Sequence, residues 1–218
     1  MRFFRQIKRK LVTLISISGL IASFIALSGY LISYLLYPAQ NYNLGFMGSE
    51  LGVGRGGIFF NLGLIISGIF FFLFIIHLDN IMIKAETKKN KGKWTIILAK
   101  ISAITYSLIG VFPSIHDNLF MLLTHGILVF ICYSTAFFFT LFLSLFIYDC
   151  SSFLRLQAYI GFFIAFAILT FLFSWISYIQ WIFTLTFFAW IAFIDGYIRF
   201  KHISEIKKYS RTDNKTTI

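Results

Sequence analysis

Long apolar runs recur along this chain and limit the folds that it can adopt. Only 12% of its 218 residues are charged, against about 25% in a typical soluble domain. The chain therefore lacks the polar residues to cover a water-exposed surface of its size. Runs of about 20 apolar residues suit helices that cross a bilayer, because a helix satisfies its backbone hydrogen bonds internally. The sequence predicts an all-α, polytopic membrane protein, and it excludes a soluble enzyme, a disulfide-stabilised secreted domain and a disordered chain.

The apolar runs predict a bundle of six transmembrane helices. Each run is long enough to cross a hydrocarbon core of about 30 Å at about 1.5 Å per residue. The boundary between the last two spans is placed at residues 177–181, because one helix through both runs would overshoot the bilayer. The predicted spans are Leu11–Tyr37, Ile58–Leu78, Trp94–Val111, Leu119–Ile147, Leu156–Tyr178 and Ile179–Arg199.

Basic residues outside the spans predict the orientation. The net charge is +11, and with six spans all of the 19 Lys and Arg residues except Arg55 fall at one end of the bundle. The positive-inside rule places that end in the cytoplasm. We therefore expect cytoplasmic N- and C-termini in a multi-pass protein of the cell membrane. Because the positive charges flank the spans, they indicate membrane topology rather than a nucleic-acid partner.

The chain is predicted to form one domain followed by a short tail. Residues 1–200 are assigned to a single six-helix transmembrane domain, and residues 201–218 to a basic cytoplasmic tail that frays beyond the membrane. The first apolar run exceeds the roughly 7–15 residues of a cleavable signal sequence, so it is expected to remain as the first helix. On that helix Ser18, Ala22 and Ala26 recur at four-residue spacing, which favours close helix packing.

A glycine-rich segment precedes the second span. Residues 52–57 read Gly-Val-Gly-Arg-Gly-Gly, which has the form of a dinucleotide-binding pattern but lacks the strand and βαβ unit that such a site needs. Backbone N–H groups at a helix start, together with an Arg, suit a phosphate. Gly54, Arg55, Gly56 and Gly57 are therefore candidates for binding a lipid phosphate. The alternative is that the glycines let the loop fold onto the bundle.

Polar residues at the same end form a second candidate site. His125 lies about 9 Å into the fourth span, where an imidazole needs a polar partner. Glu50, His116 and Asp117 lie in the adjoining loops, and Asn61 lies at the start of the second span. His125, Asp117 and Glu50 are the candidate catalytic residues, and Asn61 and His116 complete the polar cluster.

Two interpretations of His125 follow. Imidazole and carboxylate groups suit zinc and a metal-activated water, but the spacing of His116 and His125 matches no zinc signature, so no metal or other cofactor is predicted. The structural alternative is a hydrogen bond from His125 to Asn61, Tyr106 or a loop carbonyl, which would hold the helix ends together.

The opposite end of the bundle carries its own ionisable residues. His77 and Asp79 end the second span, and Asp195 lies four residues before Arg199 on the sixth. That order favours an i, i+4 ion pair. Lys100 is expected either to extend to the membrane surface or to meet Asp195.

Other chemistries lack a signature in the sequence. Cys132 and Cys150 lie about 27 Å apart along one predicted helix, too far for a disulfide. No Gly-x-Ser-x-Gly motif is present to indicate a serine nucleophile. No acidic residue falls near the middle of a predicted span, which disfavours coupled transport.

Several short segments, taken together, resemble a family of multi-pass membrane proteins from archaea and bacteria, the domain-of-unknown-function family 998. They are Ser49–Gly52, Phe60–Leu64 and Gly110–Pro113, followed by His125 and Phe130. In that family a Ser-acid-Leu-Gly step precedes helix two, an Asn opens it, and a Gly-x-Phe-Pro turn leads into a helix with a His. Glu50 stands where Asp is commoner. The layout is more distantly similar to the DRAM and Sfk group and to the N-terminal half of the Cwh lipid-remodelling proteins.

The resemblance implies a six-helix fold and an association with lipid, but no reaction. We therefore expect a membrane protein that binds or organises lipid, or a protein partner not identified by the sequence, at its outer face and without catalysis. The alternative is a membrane-embedded hydrolase or transferase that modifies lipid. In that case His125, Asp117 and Glu50 would activate water or a lipid hydroxyl beside Arg55.

Overall fold

A computed structural model describes residues 13–37, 48–84, 89–151 and 153–213. Side chains are described for residues 13–37, 48–83, 92–151 and 153–201. Six α-helices and one short 3-10 helix make up nearly all of these ranges, and no strand occurs within them. The 3-10 helix is Gly48–Gly52. The helices are α1 Ser18–Leu36, α2 Gly57–Lys84, α3 Lys89–Val111, α4 Leu119–Asp149, α5 Arg155–Ser174 and α6 Ser177–Asp213.

All six helices are long and apolar enough to cross a membrane, which confirms the predicted all-α architecture with six spans. The longest of the six candidate membrane spans is α4, whose 31 residues reach about 46 Å at 1.5 Å per residue. Since the hydrocarbon core is about 30 Å thick, α4 must tilt or extend into the interface.

The helices form a closed ring. Each helix packs against the next along the chain, and α1 also packs against α6. Because consecutive helices run in opposite directions, Lys100, Arg155 and Arg199 lie at one end, which we call the basic end. The connections α1–α2, α3–α4 and α5–α6 lie at the other, which we call the loop end.

Several helix boundaries differ from the sequence prediction: α2 continues to Lys84 and α3 begins at Lys89, and three further differences concern the first run, the last turn and the tail. A turn at residues 16–17 interrupts the first run, so α1 begins at Ser18, and the predicted start at Leu11 lies outside the described residues. The last turn comes earlier than residues 177–181, because Trp175 adopts a left-handed conformation with φ of 53° and ends α5. Finally, α6 continues to Asp213, so the first part of the predicted tail is helical.

Small residues let α1 and α2 approach closely. A Cβ added to Gly29 would lie 3.1 Å from the Cα of Gly63, so the two backbones touch. Ser18, Ala22 and Ala26 are buried on the same helix, as close helix packing requires. Elsewhere the core combines aromatic with aliphatic side chains.

Candidate functional site

The glycine-rich loop is folded against the loop end of α1 and α2. The Ser33 hydroxyl donates to the Gly56 carbonyl at 2.8 Å, and the Asn61 amide donates to the Gly52 carbonyl at 2.9 Å. A Cβ on Gly56 would lie 2.6 Å from Ser33 Cα, and one on Gly57 would clash with the Gly52 carbonyl. These glycines are therefore needed for packing, which is the second of the two roles expected from the sequence.

The start of α2 offers few free N–H groups to a phosphate. The Gly57 N–H donates to the Gly54 carbonyl at 2.8 Å, and the N–H groups of Phe59 and Phe60 donate to the Gly56 carbonyl at 3.0 and 3.3 Å. Arg55 is exposed between these groups. Of the predicted phosphate-binding set, Arg55 is thus the member that is open to a ligand.

His125 holds the turn between α3 and α4. Its side chain is buried, and Nδ1 lies 2.8 Å from the carbonyl oxygen of Phe112. A carbonyl can only accept, so Nδ1 carries the proton. This is the loop-carbonyl contact anticipated as the structural alternative. His116 and Asp117 lie in the same turn with exposed side chains, and Asn118 caps α4 by accepting from the Met121 N–H at 3.1 Å.

The candidate catalytic residues do not assemble a metal site. Across the described ranges no group of three His, Cys, Asp or Glu side chains is placed to hold a metal ion. Asp117 is exposed and Glu50 is half-buried in the 3-10 helix. Partial burial, and after it the Glu50 carboxylate, raise the pKa of the neighbouring Tyr37 phenol. Glu50 and His125 therefore have different contact partners. Tyr37 lies beside Glu50, and the Phe112 carbonyl is hydrogen-bonded to His125.

A carboxylate at the basic end plays a part that the sequence did not indicate. Asp195 on α6 is fully buried, and its Oδ2 accepts a hydrogen bond from the Leu20 N–H of α1 at 2.9 Å. Leu20 is in the first turn of α1, where N–H groups lack partners within the helix. Asp195 therefore acts as an N-cap supplied by another helix, and its negative charge complements the helix dipole.

The ion pairing expected at this end is different in the structure. Lys100 Nζ lies 3.9 Å from Asp79 Oδ2, and both side chains are half-buried. This is the one salt bridge within the described residues, so of the two alternatives for Lys100 the contact with Asp195 is wrong. Asp195 does not reach salt-bridge distance of Arg199 either, because its carboxylate turns towards α1.

A polar relay enters the bundle from the loop end. Gln180 on α6 is buried and accepts from the Gly48 N–H at 2.8 Å. Its amide nitrogen donates to the Tyr133 hydroxyl of α4 at 3.1 Å. Gln180 falls within residues 177–181, where the sequence predicted only a turn. A lone amide within an apolar run was itself the sign of a buried hydrogen-bonded group.

A lipid-facing groove separates α5 from α6 in the half of the bundle near the basic end. Its volume is about 510 Å³, and its lining is almost entirely apolar. The floor is fixed by the Trp190 indole, which donates to the Gln157 carbonyl at 2.7 Å. The lining residues are Tyr159, Ile160 and Phe163 of α5 with Thr186, Ala189, Trp190 and Phe193 of α6.

Aromatic and basic side chains surround the basic end of this groove. The Arg155 guanidinium lies 5.8 Å from the centre of the Tyr148 ring, and that ring lies 6.2 Å from the Tyr159 ring. Arg155 precedes Tyr159 by four residues, so the two share one face of α5. Such Tyr and Arg side chains are typical of the membrane–water interface.

Models of known protein families, curated proteins and solved structures were compared with the chain, and none matches. The resemblance to the family of multi-pass proteins therefore stays a prediction. What is established is an integral membrane architecture of six spans, and any assignment of activity depends on the geometry described above.

Proposed function

We propose that this protein binds membrane phospholipid without a chemical step, with one acyl chain in the α5–α6 groove and the headgroup at Arg155. The observation that carries the proposal is the groove itself, which is apolar, open to lipid, and ends beside an exposed cation. A lipid has the same division into an apolar chain and a charged head.

The lining of the groove supports an acyl chain as occupant. Phe163 and Ala189 face lipid from opposite sides of the groove, and neither offers a hydrogen bond to a polar ligand. Ala189 is the smallest of the lining residues, which leaves depth for a chain at that level. Flexible apolar chains fill such clefts by dispersion contacts alone.

Arg155 supports a phosphate headgroup. Its side chain is exposed and forms no salt bridge with the described carboxylates, so its charge is available. The planar guanidinium can donate two parallel hydrogen bonds to a phosphate. If the basic end faces the cytoplasm, as the charge distribution predicts, the headgroup comes from the inner leaflet, where anionic lipids are concentrated.

The test is native mass spectrometry of protein released from bilayer nanodiscs made of phosphatidylcholine with a minor fraction of phosphatidylglycerol. We expect retained phosphatidylglycerol on the wild-type protein. Ala189→Trp fills the groove and should abolish retention. Ile104→Trp places the same side chain on the lipid-facing surface of α3 and should leave retention unchanged.

The headgroup is tested separately. Arg155→Gln should weaken phosphatidylglycerol binding about fivefold, since one basic residue near an anionic surface contributes about 1 kcal/mol. Arg55→Gln at the loop end is the matched variant. Equal binding by wild type and Ala189→Trp would refute the groove, and a loss seen with Arg55→Gln alone would move the headgroup site to the glycine-rich loop.

A further inference from the structure

A separate cavity lies inside the ring of helices. Its volume is about 40 Å³, and residues of α2, α3, α4, α5 and α6 line it. Most of the wall is apolar, including Phe71 and Phe187, but four hydroxyl-bearing side chains and one thiol also contribute. No charged residue lines it. The polar lining residues are Ser102, Tyr106, Cys132, Tyr133 and Thr184.

Two of these hydroxyls are buried without a hydrogen bond. The Tyr106 hydroxyl and the Thr184 hydroxyl have no partner among the described residues, and both side chains are more than nine-tenths buried. Ser67 lies near the first and Tyr30 near the second without completing a hydrogen bond. Buried polar groups are normally paired with protein or with ordered water, so these two indicate a polar occupant.

The tyrosines of the wall are held in fixed positions. The Tyr133 ring packs edge-on against Phe171 and Phe183, at centroid distances of 5.5 and 5.1 Å. The Tyr106 ring lies 5.5 Å from that of Phe188. Packing of this kind favours one orientation of each ring, so both tyrosines keep their places in the cavity wall, within reach of a molecule bound there.

The cavity is connected to the loop end by the relay through Gln180. The Gln180 amide donates a hydrogen bond to the Tyr133 hydroxyl oxygen. The proton of that hydroxyl is therefore still available to donate to a molecule in the cavity. The relay begins at the Gly48 N–H in the 3-10 helix. A continuous line of polar groups therefore leads from the loop end to the cavity wall.

We propose that this cavity is a binding site for small, uncharged hydrogen-bonding molecules, and that water is its basal occupant. Because a water needs about 10–15 Å³ of such volume, the cavity has room for about three. The uncharged wall favours a neutral occupant, since an ion would lose its hydration with no countercharge to replace it.

The sign of a stability change tests the proposal. With a bound molecule, Tyr106→Phe and Thr184→Val each remove a hydrogen bond, and each should lower Tm by about 2–4 °C for a chain of this size. In a dry cavity the same variants remove an unsatisfied hydroxyl and raise Tm. Tyr178→Phe removes a phenol from an exposed position and should leave Tm unchanged.

Radiolytic labelling tests the water directly, because hydroxyl radicals formed from a bound water oxidise the side chains that touch it. We expect oxidation of Tyr106 and Cys132, and none of Phe139, which is fully buried away from the lining. Ala136→Leu fills the cavity and should remove the Tyr106 signal. Labelling of Tyr106 no higher than that of Phe139, or a Tm raised by Tyr106→Phe, would overturn the proposal.

Discussion

Asp195 forms its hydrogen bond with a residue that is distant in the sequence. Its spacing from Arg199 predicted a local ion pair, and that inference was sound for an exposed helix face. The carboxylate instead bonds to Leu20, 175 positions away. Sequence spacing carries no information about which helix closes the ring, so this contact could not be predicted.

Removing this cap should destabilise the protein. Asp195→Ala leaves the Leu20 N–H without its acceptor, and we expect a loss of about 2 kcal/mol in unfolding free energy. Asp195→Asn keeps a carbonyl oxygen and should lose less. Thermal unfolding in detergent measures both.

Asp79→Ala is the comparison for this prediction. It breaks the half-exposed contact with Lys100 and should cost about 1 kcal/mol or less. If Asp195→Ala unfolded at the same temperature as wild type, the cap would have no energetic role.

His125 illustrates what could be predicted at a single position. An imidazole within an apolar run requires a polar partner, and a loop carbonyl was among the partners expected. The Phe112 carbonyl supplies it. The grouping of His125 with Asp117 and Glu50 was based on their shared location at one end of the bundle, which does not fix where side chains point.

At the scale of elements, the spans were predictable and their ends were not. Apolar length determines a span, because lipid admits few alternatives to a helix. The end of α5 depends on Trp175 adopting φ of 53°, a conformation usually taken by glycine. No rule based on residue type would place the turn at a tryptophan.

The glycine-rich loop gives a prediction at the same scale. Gly56→Ala should destabilise the protein, because the added Cβ would lie 2.6 Å from Ser33 Cα and push the loop off α1. Gly126→Ala on α4 meets nothing within 4 Å, and should be neutral or stabilise by up to about 1 kcal/mol. Limited proteolysis of the α1–α2 connection and Tm report the two effects.

Equal stability of the two glycine variants would contradict the packing role of the loop. A Gly56→Ala protein that stayed folded but lost bound phosphatidylglycerol would instead favour the phosphate-binding role that the sequence also suggested.

For the whole molecule, the number of spans followed from the sequence, but the arrangement around the ring did not. Apolar runs do not identify which helices touch, and the α5–α6 groove arises from where two helices separate. The interior cavity likewise depends on the combined volumes of side chains from five helices.

An even number of spans predicts that both termini lie on one side. In a background with Cys132→Ser and Cys150→Ser, single cysteines are introduced as Val53→Cys, Lys88→Cys and Thr216→Cys. A membrane-impermeant maleimide added to intact cells should label only the Val53→Cys protein. Labelling of the Thr216→Cys protein without permeabilisation would reverse the orientation or change the number of crossings.

The cap on α1 also has a consequence for biosynthesis. At about 5–20 residues per second, roughly 9–35 s separate the synthesis of Leu20 from that of Asp195. During that interval the first helix is in the membrane with an unfinished terminus. The Leu20 N–H therefore has no acceptor from Asp195 until the last helix has been made and packs against the first.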